Sequence, residues 1–485
     1  MSGARFARNS LAVMAQRVTQ AGSAFVLSAI IARTLGADEL GVYMLAFTFY
    51  FVAATVASHG MRVHATRQLA REPAGAGDQL VSGAVLQLAA ALAALAVIAG
   101  IIVAMPYDAH ATRICLLHGL MVVPTSLANV ADAVLQSRER MHVAAAITVP
   151  IHLLRLAAIA WALMHGADLA TACAILIASE CVVFAGQWLA AAGLARPRWR
   201  IDTGLMRASL RSARDFVAIE GLAVFNARIR LVLLSLVGSA ATIGMYGCVL
   251  QILQPFHIVI HSVVQAVFPA LSRTATLGVD QQRALVTKVM RLLLMLMAPA
   301  VALMGFAGGD LLLLAYGDGR FAAAGPALAI TGAALITSAS NRVLAYLLVA
   351  TGHERVNLHE VMVATLVGVP LSFLLIQQFG LIGAAAAVPA QGVLGFLQFH
   401  HAVRRHVLRL DWPRIVAPGC AVAASTALAI AIARECVGVA PLEAIAAGCG
   451  AGGMAALIAW RLVRETSARS ATAPRPAAGA AVAAG

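Results

Sequence analysis

Apolar residues run through this chain in long blocks rather than in alternating or helical-face patterns. The blocks fall at roughly 11–32, 40–60, 79–105, 114–136, 143–165, 169–194, 215–237, 244–270, 289–316, 323–350, 357–378, 380–401, 415–433 and 441–462, separated by short segments rich in Gly, Pro and charge. Each is long enough to cross the ~30 Å hydrocarbon core of a bilayer as a helix, which takes about 20 residues. Away from water, a helix satisfies its backbone donors and acceptors within one segment. The pattern predicts an all-α polytopic membrane protein with about 14 transmembrane helices.

Composition closes off other classes. Of the 485 residues, 61% are hydrophobic and 12% charged, whereas a soluble domain carries about 25% charged residues. Too few polar groups remain to cover a soluble surface, which excludes a soluble enzyme, a secreted disulfide scaffold and a disordered chain. The seven cysteines are scattered through apolar stretches with no C-x-x-C pair, so they read as small buried hydrophobes rather than staples or ligands. Arg5 and Arg8 precede the first block, but that block is too long for a signal peptide and contains Arg17. It reads as a retained first helix.

Charge fixes the expected orientation. A net charge of +14 would suggest nucleic acid in a soluble protein, but in a membrane protein loop cations mark the cytoplasmic side. With the N-terminus inside, 26 of the 35 Lys and Arg residues fall in connectors on that side, four on the other, and five within the helices. A missed span would invert the alternation after it, and it holds to the end. Both termini are therefore expected in the cytoplasm, with the bilayer rather than nucleic acid as the partner.

The basic connector 196–214 separates the first six spans from the next six. This predicts an N-lobe at 1–195, a C-lobe at 215–403, two extra helices at 404–466, and a disordered cytoplasmic tail at 467–485, rich in Ala and Pro. A faint repeat marks the same division. Leu35-Gly36 with Gly41-Val42-Tyr43 follows the first span, and Val237-Gly238 with Gly244-Met245-Tyr246 follows the seventh. Two six-helix halves of the same orientation are a transporter pattern, with the substrate cavity between them.

The opening Asn9-Ser10, Ala32-Arg33-Thr34-Leu35-Gly36 and Glu39-Leu40-Gly41-Val42-Tyr43, then Gly60-Met61-Arg62, Arg67 and Ala70-Arg71-Glu72, carry a family resemblance. Tyr316-Gly317, Phe321, Pro326 to Ile330, Asn341, Ala350-Thr351-Gly352-His353-Glu354-Arg355 and Phe379 to Ala385 continue it. Over roughly residues 1 to 405 the chain resembles the oligosaccharide (O-antigen-type) flippases of the multidrug/oligosaccharidyl-lipid/polysaccharide exporter superfamily. The resemblance implies a V-shaped pair of lobes that moves a polyprenyl-diphosphate-linked oligosaccharide across the bacterial inner membrane by alternating access. It implies a monomer with no cofactor, and polysaccharide assembly proteins as candidate partners. Members often carry an acidic residue in the seventh helix, where this chain has Asn226-Ala227-Arg228-Ile229-Arg230. That departure puts ion coupling through such a residue in doubt.

Charges within the spans are the candidate site. Arg17, Arg155, Arg228, Arg230 and Arg342 stand against Asp132, Glu180 and Glu220. A charge at mid-bilayer costs about 2.5–3.5 kcal/mol on insertion scales, so it persists facing a wet cavity or a partner; near a helix end it can snorkel. Glu220 and Arg228 share a helix face, and Arg230 lies about 200° away from Arg228 at 100° per residue. One of the two arginines faces the cavity and the other a neighbouring helix. Arg62 is placed at the inner mouth. Guanidinium forks match diphosphate oxygens, so an Arg-rich interior suits an anionic head group. Asp132, Glu180, His257 and His261 are the candidate coupling groups. The His257–His261 spacing of i, i+4 suits a metal, but no Glu and no third ligand accompany it, so no metal site is expected. The alternatives are a cation-coupled drug antiporter on the same fold and a membrane glycosyltransferase. The second lacks the sizeable outer loop such enzymes carry.

Overall fold

The computed structural model describes residues 3–71, 75–275, 277–435 and 440–472. Among them no strand occurs. The first half comprises α1 (Gly3–Ala54), a π-helical turn (Thr55–His59), α2 (Gly60–Arg71), α3 (Ala76–Ala104), α4 (Ala109–Gly119), α5 (Val122–Ser137), α6 (Met141–Met164) and α7 (Leu169–Ala195). The second comprises α8 (Thr203–Val237), α9 (Ala240–Thr274), α10 (Val279–Tyr316), α11 (Gly319–Ala322), α12 (Gly325–Ala350), α13 (Arg355–Leu366) and α14 (Gly368–His406). Two more helices follow, α15 (Trp412–Glu435) and α16 (Pro441–Thr472).

Eleven helices are long and apolar enough to cross a membrane among the described residues. Two of them, Leu11–Ser58 and Arg355–His406, run to 48 and 52 residues. At 1.5 Å per residue each is more than twice the thickness of the hydrocarbon core. Both double back at a glycine: Gly36 breaks α1 at φ 88° and Gly380 breaks α14 at φ 54°. Positive φ is open to glycine without the Cβ clash other residues meet. Counting each as two spans and adding α8 gives the fourteen expected.

The two six-helix lobes follow from packing. In the first, α1 packs on α4 and α6, and α7 on α5 and α6; in the second, α12 packs on α9, α10 and α14, and α14 on α8. The lobes meet along α1 and α9, and again where α8 packs on α1, α2, α3 and the π-helical turn. Helices α15 and α16 pack on α10, where Val422 joins Met295 and Ala298 in a small core.

Two expected boundaries shift. The connector after the sixth span covers only 196–202, because α8 already starts at Thr203. Asp202 starts it early by accepting hydrogen bonds from the backbone N–H groups of Gly204 (2.8 Å) and Leu205 (3.0 Å), satisfying donors a helix N-terminus leaves open. Likewise 467–472 continue α16, and 473–485 lie outside the described residues.

One end of the bundle is closed. There α1 and α9 cross with their backbones in contact at Gly41 and Gly244. Arg33 donates to the carbonyls of Leu314 (2.6 Å) and Ala315 (3.2 Å). Arg320 pairs with Asp318 at 2.9 Å and reaches Asp38 at 3.7 Å, and His110 meets Glu39 at 3.0 Å. The lobes meet again where α2 and the π-helical turn pack on α8.

Candidate functional site

Between the lobes lies a cavity of about 390 Å³. The first segment of α1 contributes Arg17 and Gln20, the second Met44, Phe47 and Phe51, α8 contributes Arg228, and α9 contributes Gln251, Gln254, His257, His261 and Ser262. The α9 residues recur at three- and four-residue steps, so one polar stripe faces the cavity. Two guanidinium groups and two imidazoles line it, and no carboxylate is among the described lining residues. Arg342 on α12 is exposed and acts electrostatically on both His257 and His261. The field in the cavity is therefore one that favours anions.

Arg228 is held by aromatic faces rather than by an acid. Its guanidinium carbon lies 4.6 Å from the centroid of Phe51 and 5.4 Å from that of Phe47. A cation over such rings is attracted by their quadrupoles, and the hydrogen-bonding edge of the fork stays free for a ligand. Arg230 points elsewhere, as the helix geometry requires. It is buried and donates to Gln391 Oε1 on α14. Close by, Asn341 Nδ2 donates to the Gly392 carbonyl at 2.9 Å. These bonds tie α8, α12 and α14 together within the C-lobe.

The other candidate charges pair off inside the N-lobe, and none of them lines the cavity. Arg155 on α6 donates to Glu180 Oε1 on α7 at 2.8 Å, and His152 Nε2 approaches the same oxygen at 3.5 Å. Arg62 on α2 meets Asp132 Oδ2 at 3.2 Å, and Gln136 donates to that oxygen at 2.7 Å. Arg62 thus sits against α5, one turn past the π-helical turn, and not at an open mouth. The side chain of Glu220 lies outside the described residues. The geometry therefore brings together Arg17, Arg228, His257, His261 and Arg342, and separates them from Arg62, Asp132, Arg155, Glu180 and Arg230.

Sequence reasoning missed the Phe47–Phe51 cradle, although its i, i+4 spacing was readable. It also undercounted the interior carboxylates. Asp310 lies on α10, where Arg434 of α15 neutralises it. Glu360 lies half-buried on α13, packed toward Gly395, and feels the charge of Arg342. The three-anion count is thus too low for the whole interior, while among the described lining residues of the cavity there is no carboxylate.

The fold is shared with solved structures of low sequence identity. A structure described as the lipid II flippase MurJ in an inward closed conformation matches with a TM-score of 0.74 at 13% identity, covering 95% of this chain and 99% of that one. An inward-facing multidrug resistance transporter of the MATE family, in the MOP superfamily, matches with a TM-score of 0.62 at 14% identity, covering 83% and 98%. A MOP superfamily transporter from Pyrococcus furiosus, described as having a binding pocket of reverse polarity, matches with a TM-score of 0.52 at 14% identity, covering 82% and 95%. Among curated proteins no sequence matches. The family model for polysaccharide biosynthesis proteins matches residues 6–275, more than half of the chain, and takes in both segments of α1, Arg228 and the cavity face of α9. With fourteen spans in two lobes around this cavity, the chain belongs to the polysaccharide biosynthesis protein family.

Proposed function

We propose that this protein is a flippase, not an enzyme, that carries a polyprenyl-diphosphate-linked oligosaccharide across the bacterial inner membrane by alternating access, for surface polysaccharide synthesis. The observation that carries the reading is the cavity between the lobes, where Arg17, Arg228, His257 and His261 are present and no carboxylate is among the described lining residues. A diphosphate bears two or more negative charges, and a guanidinium binds its oxygens in pairs and stays charged at any physiological pH. Away from bulk water the attraction strengthens. Gln20, Gln251 and Gln254 supply amide groups for sugar hydroxyls.

With both termini in the cytoplasm, substrate would load from the end where α1 begins, once the packing of α2 on α8 loosens. Release needs the clasp around Arg33, Arg320 and the Gly41–Gly244 crossing to part. A cation-coupled drug antiporter would be better served by carboxylates facing its substrate, and the described lining residues provide none. The test is Arg228→Ala in a producing strain. Surface polysaccharide should be lost and lipid-linked saccharide should accumulate at the inner face, with protein abundance unchanged. Normal export by this variant would overturn the reading.

A further inference from the structure

A second cavity of about 580 Å³ lies on the flank of the bundle, between the second segment of α1, α3 and α8. Phe49, Val52, Val56, Val97, Ile101 and Phe225 give it an apolar wall. Val56, Val97, Ile101 and Phe225 are all at least 39% exposed, so the groove faces the bilayer. Among the described lining residues the one charge is Arg228, which also lines the polar cavity between the lobes. One guanidinium therefore stands between a wet, anion-favouring chamber and a groove fit for hydrocarbon.

We infer that the groove between α1, α3 and α8 holds the phosphate-proximal isoprene units of the substrate, with Arg228 gripping the diphosphate at the junction and the sugars lying in the polar cavity. This inference rests on the flippase reading and adds the path of the lipid. Three observations favour this occupant. Among the described residues no carboxylate pairs with Arg228, so its charge is available. The described lining residues of the groove are uncharged except at that inner end, which matches an apolar chain ending in an anion. A zwitterionic phospholipid would bring an ammonium toward the same arginine, against Coulomb repulsion. The appended helices α15 and α16 pack on α10, and none of their described residues lines either space.

The experiment uses the full chain in lipid vesicles. One probe is a polyprenyl diphosphate carrying a photoactivatable group on its phosphate-proximal isoprene; the other is a photoactivatable phosphatidylethanolamine. The diphosphate probe should label peptides within 48–57 and 90–105, and unlabelled polyprenyl diphosphate should displace it. Ala93→Trp and Val97→Trp, at exposed groove positions, should cut that labelling several-fold. Binding of a water-soluble geranyl diphospho-sugar in the cavity should persist in both variants and be lost in Arg228→Ala.

Labelling confined to other helices would overturn the groove assignment. So would equal labelling by the phosphatidylethanolamine probe that polyprenyl diphosphate cannot displace. If the water-soluble diphospho-sugar fails to bind the wild-type protein, the flippase reading itself falls. If it binds while the tryptophan variants label normally, only the groove assignment falls.

Discussion

Gly41 and Gly244 meet backbone to backbone where the two lobes cross. A Cβ on Gly41 would overlap the Ala240 carbonyl and lie 3.1 Å from the Gly244 nitrogen; one on Gly244 would overlap the Ala37 carbonyl and lie 3.0 Å from the Gly41 nitrogen. Each is the glycine of a Gly-x-Tyr unit that follows the first span of its lobe. The faint internal repeat is therefore the contact surface between the repeats, and small residues are what allow two helices to approach so closely.

A methyl group at this crossing has nowhere to go but between the lobes. Gly244→Ala should destabilise the clasped conformer by about 1–3 kcal/mol, the usual cost of overpacking, and favour the conformer in which the clasp has parted. Spin labels at positions 34 and 319, on either side of the clasp, should report a longer mean distance in the variant than in the wild type. An unchanged distance distribution would show that the crossing is not a pivot.

Arg228 offers a separate test, of geometry rather than of charge alone. Arg228→Lys keeps the charge but loses the planar fork and its stacking on Phe47 and Phe51, so it should rescue export only in part. Phe51→Leu leaves the arginine without its nearer ring. A cation–π contact is worth about 0.5–2 kcal/mol, so binding of the diphosphate head should weaken about twofold to thirtyfold. Full activity of both variants would mean the cradle does not orient the fork.

These cases show what could be read from the chain and what could not. The fourteen spans were legible because each needs only its own run of apolar residues. The opposed directions of Arg228 and Arg230 were legible because helical rotation is local. Partners across helices were not. Arg155 sits near the middle of its span, where a wet cavity seemed its natural surrounding, but Glu180 is 25 residues away on the next helix and meets it only after packing. The same holds for Arg62 with Asp132, 70 residues apart. The groove between α1, α3 and α8 was invisible for the same reason, since it exists only between elements.

The pairing of Arg155 leads to a prediction of a different kind from that for Arg228. Both partners are mostly buried, and His152 shares the carboxylate. Arg155→Ala should strand Glu180 and cost about 3–5 kcal/mol, as removal of one member of a buried pair does. It should therefore lower protein abundance and thermal stability. Arg155→Leu combined with Glu180→Leu should recover much of that loss and, because neither residue lines the cavity, should restore export. Loss of export at normal abundance in the double variant would instead give the pair a direct part in transport.

Arg434 makes the converse case, a charge whose work is to hold an appendage. It donates to the Phe306 carbonyl at 2.8 Å and pairs with Asp310. Between these two residues α10 leaves helical geometry at Ala307, φ −129° and ψ 21°. A break in the helix disturbs its i to i−4 bonding, and Arg434 reaches over from α15 to a carbonyl at that point. The pair is partly exposed, so the contribution is modest, about 1 kcal/mol. Arg434→Ala should lower the unfolding temperature in detergent and open the α15–α16 hairpin to protease before the rest of the chain. Export at permissive temperature should remain normal, because no described residue of these helices lines the cavity or the groove. An export defect without a change in stability would place α15 and α16 on the transport path and redirect the lipid chain away from α3.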